Sequence, residues 1–245
     1  MEIGAQLYTV RDHCKTLPEF TETLKKIADI GYRNVQVSGV CDYEAKWLRD
    51  ALSQTGLKCV LTHIAPDRIA ADTQTVIAEH DVFGCDNVGI GYYEVHKDGV
   101  QAFYERFAQA GEALNRSGKR LCYHNHDHEF IKLGGKTVLG RLAEAFSPEQ
   151  LCFTLDTYWV QAGGADPVWW IDFLKGRVPC VHLKDMEYGR KMAALGVGNI
   201  NLDGVIAACE RAGTEYLLVE QDDCYGQDPF ECLRISYDFL KSRGF

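Results

Sequence analysis

The sequence has no long apolar run, no cluster of basic residues and no closely spaced pair of cysteines. Its uncharged apolar stretches all fall well short of the ~20 residues that cross a bilayer. The first residues also show no basic segment followed by an apolar one, so we expect a cytoplasmic protein with no membrane partner. Acidic side chains outnumber basic ones by 35 to 26, and the resulting net charge of −9 would repel a phosphate backbone. We therefore do not expect nucleic acid to be a partner.

The 10 cysteines are scattered singly along the chain, and no CxxC motif occurs. Several lie inside apolar, strand-like segments, namely Cys59, Cys122, Cys152 and Cys180. This pattern is typical of buried thiols in a reducing compartment. It argues against a disulfide framework and against a zinc–thiolate site.

Hydrophobic residues make up 46% of the chain, which is enough for a large core, and prolines number only 6. Eight short apolar segments alternate with longer segments of helical periodicity from one end to the other. The strand candidates are residues 3–9, 34–39, 58–64, 87–92, 120–126, 151–156, 179–185 and 216–221. The clearest helix candidates are residues 17–31, 44–56, 99–118, 201–213 and 228–244.

Strict alternation of strands and helices, with no break or linker, predicts an α/β fold with a parallel sheet. At 245 residues the chain has the usual size of one (β/α)8 barrel, so we expect a single-domain TIM barrel over residues 1–245. A doubly wound open sheet is the alternative. It is disfavoured because no Gly-rich phosphate loop follows the first strand candidate.

The carboxyl ends of barrel strands surround the active site, and the later strand candidates carry metal-ligand residues there. Glu129, Asp156, His182 and Glu220 follow four successive strand candidates and are each about one βα unit apart. Such side chains converge. Three carboxylates and one imidazole suit one divalent Mn, Mg, Co or Zn ion, and burying those carboxylates without a cation would be costly.

Five motifs carry a resemblance to a known family. They are YHNHDHEF (123–130), LDTYWVQAGGADP (155–167), HLKD (182–185), LGVGNINLDGV (195–205) and VEQDD (219–223). Together they make the chain resemble the xylose isomerase-like barrel family, which comprises sugar phosphate isomerases and epimerases and also includes inosose dehydratases. The resemblance covers nearly the whole chain.

The resemblance implies that one metal ion is held by Glu129, Asp156, His182 and Glu220. At strand five, many relatives carry the glutamate where this chain has His124, so His124 or His126 is the alternative ligand. The chain also departs from relatives at position 197, where a valine replaces an acidic residue that is common in the family.

The chemistry implied by the resemblance is proton transfer at a carbon next to a metal-chelated carbonyl. Glu220 and Glu129 would act as acid and base. His126 is a candidate for moving a proton or binding a hydroxyl group, with a role in ordering its own loop as the alternative. Lys184 is a candidate for binding a substrate oxygen, with a salt bridge to a neighbouring aspartate as the alternative.

Four further residues are candidates for substrate binding. His63 ends the third strand candidate, and His124 ends the fifth. Tyr158 and Trp159 follow Asp156 and could supply aromatic walls for a sugar ring, although aromatic side chains more often belong to a core.

The main functional hypothesis is therefore a metal-dependent isomerase or epimerase that acts on a keto sugar or related polyol. The alternative is a lyase that dehydrates a keto-inositol or cleaves a 3-keto glycoside. A barrel subunit without catalysis is a third hypothesis, and a homo-oligomer is compatible with all of them. A phosphate-cleaving endonuclease with three metals is disfavoured, because the position three after Asp156 is Trp159 and no histidine follows HLKD closely.

Overall fold

Eight parallel strands form the centre of the computed structural model, which describes residues 1–245. They close into a barrel in the order β1-β8-β7-β6-β5-β4-β3-β2. The strands are β1 (Glu2–Gln6), β2 (Asn34–Val37), β3 (Lys58–His63), β4 (Asn87–Ile90), β5 (Arg120–His124), β6 (Cys152–Asp156), β7 (Cys180–Leu183) and β8 (Tyr216–Val219). Pairing of β1 with β8 closes the ring and confirms the predicted TIM barrel.

Helices surround this barrel. They are α1 (Leu17–Ile30), α2 (Ala45–Thr55), α3 (Pro66–Ala71), α4 (Thr73–Phe83), α5 (Val95–Asp98), α6 (Val100–Arg116), α7 (Val138–Ala145), α8 (Thr157–Ala162), α9 (Pro167–Phe173), α10 (Leu202–Ala212) and α11 (Pro229–Lys241). Short 3-10 helices cover Leu7–His13, His128–Phe130 and Tyr188–Arg190. None of the helices is both long and apolar enough to cross a bilayer.

Side chains of a strand point alternately to its two faces, and this alternation divides the barrel interior into layers. One apolar layer consists of Val60, Leu61, Cys122, Cys152, Cys180 and Leu218. Two residues further along β5, β6, β7 and β8, the inward positions carry polar side chains instead. The apolar layer therefore closes the barrel beneath a polar layer at the carboxyl ends of the strands. All ten cysteines are free thiols, in line with the sequence prediction.

The strands end earlier than the sequence pattern predicts. The first was predicted over residues 3–9, but β1 ends at Gln6, where the chain turns into the 3-10 helix Leu7–His13. Gln6 caps that helix, because its side-chain oxygen accepts a hydrogen bond from Tyr8 N at 3.2 Å. Apolar residues therefore continue past the point at which strand pairing stops.

Helix α6 contains a glycine whose lack of a side chain is required by packing. A Cβ atom at Gly111 would lie 2.0 Å from the backbone oxygen of Gln150, in the turn that precedes β6. That oxygen belongs to the main chain and cannot rotate away. The close approach sets how tightly α6 packs on this turn.

Gly111→Ala should therefore destabilise the protein by about 1–3 kcal/mol through overpacking. The opposite sign is expected at an unconstrained helical site, where Gly→Ala stabilises by up to ~1 kcal/mol. Denaturant unfolding measures the change, with Gln109→Ala on the exposed face of α6 as the control that should be nearly neutral. A stabilising effect of Gly111→Ala would contradict the packing described here.

Candidate active site

Four buried side chains converge at the carboxyl end of the barrel. They are His124 from β5, Asp156 from β6, His182 from β7 and Glu220 directly after β8. One ligand atom from each lies within 4.8 Å of the others. His124 Nε2 is 3.1 Å from Asp156 Oδ2, and His182 Nδ1 is 2.9 Å from Glu220 Oε2. We call these four residues the ligand group.

The ammonium group of Lys184 lies against this group. Its Nζ atom is 2.9 Å from Asp156 Oδ2, 2.8 Å from Glu220 Oε2 and 2.9 Å from Asp222 Oδ1. Burial lowers the pKa of Lys184, but the three carboxylates outweigh burial and hold that pKa well above its usual value. Burial raises the pKa values of Asp156 and Glu220, yet Lys184 is foremost among the groups that hold both well below normal.

Two buried atoms of the ligand group, His182 Nδ1 and Glu220 Oε2, lie 2.9 Å apart, and neither makes a hydrogen bond of good geometry. The ammonium of Lys184 is the other close neighbour of this oxygen, at 2.8 Å. The other nitrogen of His182, Nε2, lies 2.6 Å from Gln36 Oε1, which sets the ring orientation and leaves Nδ1 for a ligand. Asp156 is oriented in the same way. Its Oδ1 accepts a hydrogen bond from Trp159 N at 2.9 Å, and its Oδ2 faces the other ligand atoms. This donor set fits a divalent cation.

A cavity of about 550 Å³ opens above the ligand group. Its walls come from the loops after β1, β2, β3, β4, β5, β6, β7 and β8. The lining residues with polar or aromatic side chains are Tyr8, Arg11, Ser38, His63, Tyr92, His124, His126, Trp159, Lys184, Glu220 and Asp222. The volume lies within the ~300–1,000 Å³ of small-molecule sites, and aromatic rings beside polar groups suit a sugar or polyol.

A family model described as the xylose isomerase-like TIM barrel matches residues 24–243. The chain belongs to this family. Comparison with curated proteins finds no match.

Several solved structures resemble the whole chain. A sugar phosphate isomerase/epimerase from Parabacteroides distasonis has a TM-score of 0.84 at 20% identity, over 99% of this chain and 94% of that one. An L-ribulose 3-epimerase has a TM-score of 0.75 at 16% identity, over 99% and 94%. A probable 3-DHS dehydratase from Bacillus anthracis has a TM-score of 0.76 at 15% identity, over 100% of both chains. At these identities the likeness establishes the fold.

Glu129 lies outside the ligand group. Its Oε1 accepts from Tyr123 Oη at 2.6 Å and lies 2.8 Å from His128 Nε2, while its Oε2 accepts from His126 N at 2.7 Å. The carboxylate is fully buried and orders the loop after β5. The geometry therefore favours His124, the alternative from the sequence, over Glu129 as the strand-five ligand. Glu129, His126 and His128 form a second, smaller group of ligand-type atoms.

Three of the four substrate-binding candidates line the cavity, namely His63, His124 and Trp159. His63 Nδ1 lies 3.1 Å from Ser38 Oγ, and a Cβ atom on Gly91 would lie 2.5 Å from that nitrogen. Gly91 therefore makes room for the His63 ring. Tyr158 does not line the cavity, because it turns away and donates from its hydroxyl group to the carbonyl of Arg190 at 2.7 Å.

Of the expected acid–base residues, Glu220, His126 and Lys184 line the cavity. His126 is largely buried, and burial together with His124 lowers its pKa to about 2, so its imidazole is neutral at pH 7. The salt bridge considered for Lys184 from the sequence is present with Asp222. Asp185 has a separate role, since it accepts four backbone N–H groups and orders residues 186–200.

Sequence reasoning missed Gln36, and it named Asp222 only as a salt-bridge partner of Lys184 and not as part of the cavity wall. Gln36 is a buried polar residue in the short apolar strand β2, and that placement was the only available signal. Asp222 follows Glu220 with one residue between them, so the alternation of side chains could have placed it on the same face.

We predict that Lys184 acts as the counter-cation of the ligand group when no metal is bound. Lys184→Met should lower stability without metal by about 3–5 kcal/mol, the usual cost of leaving a buried charge unpaired. It should also enlarge the gain in melting temperature on adding Mn²⁺, because the ammonium no longer repels the cation.

Thermal unfolding with and without Mn²⁺ measures both effects. Lys119→Met is the matched control, since Lys119 is also buried and lies 2.6 Å from Asp81. That variant should lose stability, but its gain in melting temperature on adding Mn²⁺ should equal that of the wild type. An equal gain in wild type and Lys184→Met would refute the counter-cation role.

Proposed function

We propose that this protein is a divalent-metal-dependent isomerase or epimerase that acts on a keto sugar or related polyol. One observation carries the proposal. His124, Asp156, His182 and Glu220 place their ligand atoms within 4.8 Å of one another at the base of a sugar-sized cavity. Two of those atoms, His182 Nδ1 and Glu220 Oε2, are buried 2.9 Å apart without a well-formed hydrogen bond between them.

His124, Asp156, His182 and Glu220 would hold the ion, with manganese, magnesium, cobalt or zinc all compatible with this donor set. The bound ion would supply Lewis-acid polarisation of a substrate carbonyl, which acidifies the neighbouring C–H group. His182 is fixed for this role by Gln36, and Asp156 by the backbone N–H of Trp159. Both ligands are therefore oriented in advance of binding.

Glu220 is the proposed base. It lines the cavity, so its carboxylate can reach a bound substrate. Lys184 and then His182 hold its pKa well below normal despite burial, so it is ionised and able to accept a proton at neutral pH. Lys184 lines the cavity and has a second proposed role: once a bound cation takes over Asp156 and Glu220, its Nζ, now within 2.9 Å of both, would be free to donate a hydrogen bond to a substrate oxygen.

His126 is proposed to bind a substrate hydroxyl group from another side of the cavity, since its neutral ring can donate or accept a hydrogen bond. It lies in the loop after β5, whereas Glu220 follows β8, and three strand pairings separate these strands around the ring. Its neutral ring packs 5.2 Å from Trp159 and 5.1 Å from Tyr92, measured between ring centroids. The position suits contact with a ring held between these aromatic side chains.

A lyase is the second candidate function, and the position of Glu129 favours it. Epimerisation through two glutamates needs a second carboxylate facing the substrate, yet Glu129 is fully buried and its oxygens are engaged by Tyr123, His128 and the backbone of His126. Elimination of water or an alcohol needs one base and one proton donor to the leaving oxygen. Glu220 can take the proton from the carbon next to the carbonyl and return it to the leaving oxygen of a keto-inositol or a 3-keto glycoside, with His126 or Lys184 donating a hydrogen bond to that oxygen.

Glu220→Gln should lower the rate of deuterium exchange at the carbon next to a substrate carbonyl by ~10²-fold or more, because the amide cannot accept the proton. The assay incubates the Mn²⁺-loaded protein in D2O with a panel of keto sugars, keto-inositols and 3-keto glycosides. Mass spectrometry then measures exchange. A product that differs in mass from the substrate only by the exchanged deuterium marks an isomerase or epimerase, and loss of water or an alcohol marks a lyase.

Glu215→Gln is the matched control, because Glu215 lies at the opposite, amino end of β8 and pairs with Arg120. It should exchange at the wild-type rate. If Glu220→Gln retains metal and still exchanges at the wild-type rate, Glu220 is only a ligand and the proposed base is wrong. Absence of exchange with every compound would remove the support for this whole class of reaction.

A further inference from the structure

A second compartment of about 420 Å³ lies beside the active-site cavity. It is formed by the loop from β2 to α2, the start of the loop after β3, and side chains from α3 and α4. None of the residues discussed for catalysis or metal binding lies in it apart from His63. Its volume alone falls within the ~300–1,000 Å³ range of small-molecule sites, so it can hold more than a few solvent molecules.

The two compartments are adjacent. Both are lined by Ser38, Gly39, His63, Ile64 and Ala65, which therefore form the boundary between them. Gly39 keeps this boundary thin, since its φ of +69° favours glycine and a Cβ atom there would lie 2.6 Å from the ring of Tyr8. Tyr8 lines only the active-site side. A ligand that occupies both compartments would cross this boundary beside the His63–Ser38 pair.

The second compartment has the chemistry of a site for a neutral ring. Tyr43 and Phe83 supply aromatic surface, and Asp42 and Glu79 supply oxygen acceptors for hydroxyl groups. Its one arginine, Arg68, is already paired with Glu79, with Nη2 2.5 Å from Oε1. With two carboxylates and one paired guanidinium, the compartment would disfavour a phosphate or carboxylate group.

We propose that the second compartment binds a second ring, joined through a glycosidic oxygen to the ring that reacts above the ligand group. The substrate class is thus a neutral glycoside, whose second unit is a sugar or an aromatic aglycone. This proposal rests on the proposed function for the reacting ring. It deepens that function, because a site for a leaving unit next to the base suits elimination from a glycoside.

The experiment measures binding and needs no catalysis. Isothermal titration of the Mn²⁺-loaded protein compares D-glucose, D-galactose and D-xylose with the 4-nitrophenyl α- and β-glycosides of each. We expect at least one aryl glycoside to bind at least ten times more tightly than its parent sugar. Ala45→Trp, which fills the second compartment from a half-buried position at the start of α2, should abolish that preference and leave affinity for the parent sugar unchanged.

Ala78→Trp is the matched control. Ala78 is exposed on α4 and lines neither compartment, so the same added volume should leave the preference intact. The proposal is overturned if no glycoside binds more tightly than its parent sugar, or if the preference survives in Ala45→Trp. If Ala45→Trp abolishes the preference but the protein fails the deuterium-exchange assay, the second compartment is supported as a binding site. Only the proposed reaction is then rejected.

Discussion

Compensation of negative charge at the closed end of a cavity is the constraint on which this site depends. Asp156 and Glu220 are buried within 2.9 Å of one ammonium group, Lys184 Nζ, and Asp222 approaches it equally closely. Removing carboxylates from water is costly unless a cation is close by. Lys184 supplies one positive charge, and His182 Nδ1 and Glu220 Oε2, which lie 2.9 Å apart without a well-formed hydrogen bond, mark where a second cation fits.

The barrel buries these carboxylates and also directs them toward the cavity. Inward positions of β5 to β8 carry apolar side chains one layer down, at Cys122, Cys152, Cys180 and Leu218, so the carboxylates cannot reach water from below. They face only the cavity, where a substrate would replace water. Polar residues from the far side of the ring complete the site, because Gln36 on β2 reaches across to His182 on β7. The ligand group and the cavity wall are therefore held together by strands from both sides of one ring.

Much of this arrangement could be predicted from the sequence. The short apolar segments located all eight strands, and polar residues at the ends of three of them predicted that Asp156, His182 and Glu220 lie near one another at one end of the barrel, where the structure has them. Regular structure makes such side chains predictable, since strand direction and alternation fix where they point. Strand ends were predicted too late, because apolar composition continues after pairing stops.

Residues in irregular segments were harder to place. Glu129 lies in a 3-10 helix after β5, where no fixed period relates position to direction, and Tyr123 and His128 draw its carboxylate away from the ligand group. Tyr158 is one residue from Trp159 on α8, yet only Trp159 faces the cavity. The second compartment had no sequence signal at all, because it arises from loops that are distant in the chain and whose shapes depend on tertiary packing.

The central claim is that a divalent ion completes the group formed by His124, Asp156, His182 and Glu220. Crystals grown with Mn²⁺ and measured by anomalous diffraction at the manganese edge test it most directly. We predict one strong anomalous peak per chain, from an ion that is bound by His182 Nδ1 and Glu220 and has His124 in its coordination shell. A peak at Glu129 and His128 alone, or no peak in the barrel, would contradict it.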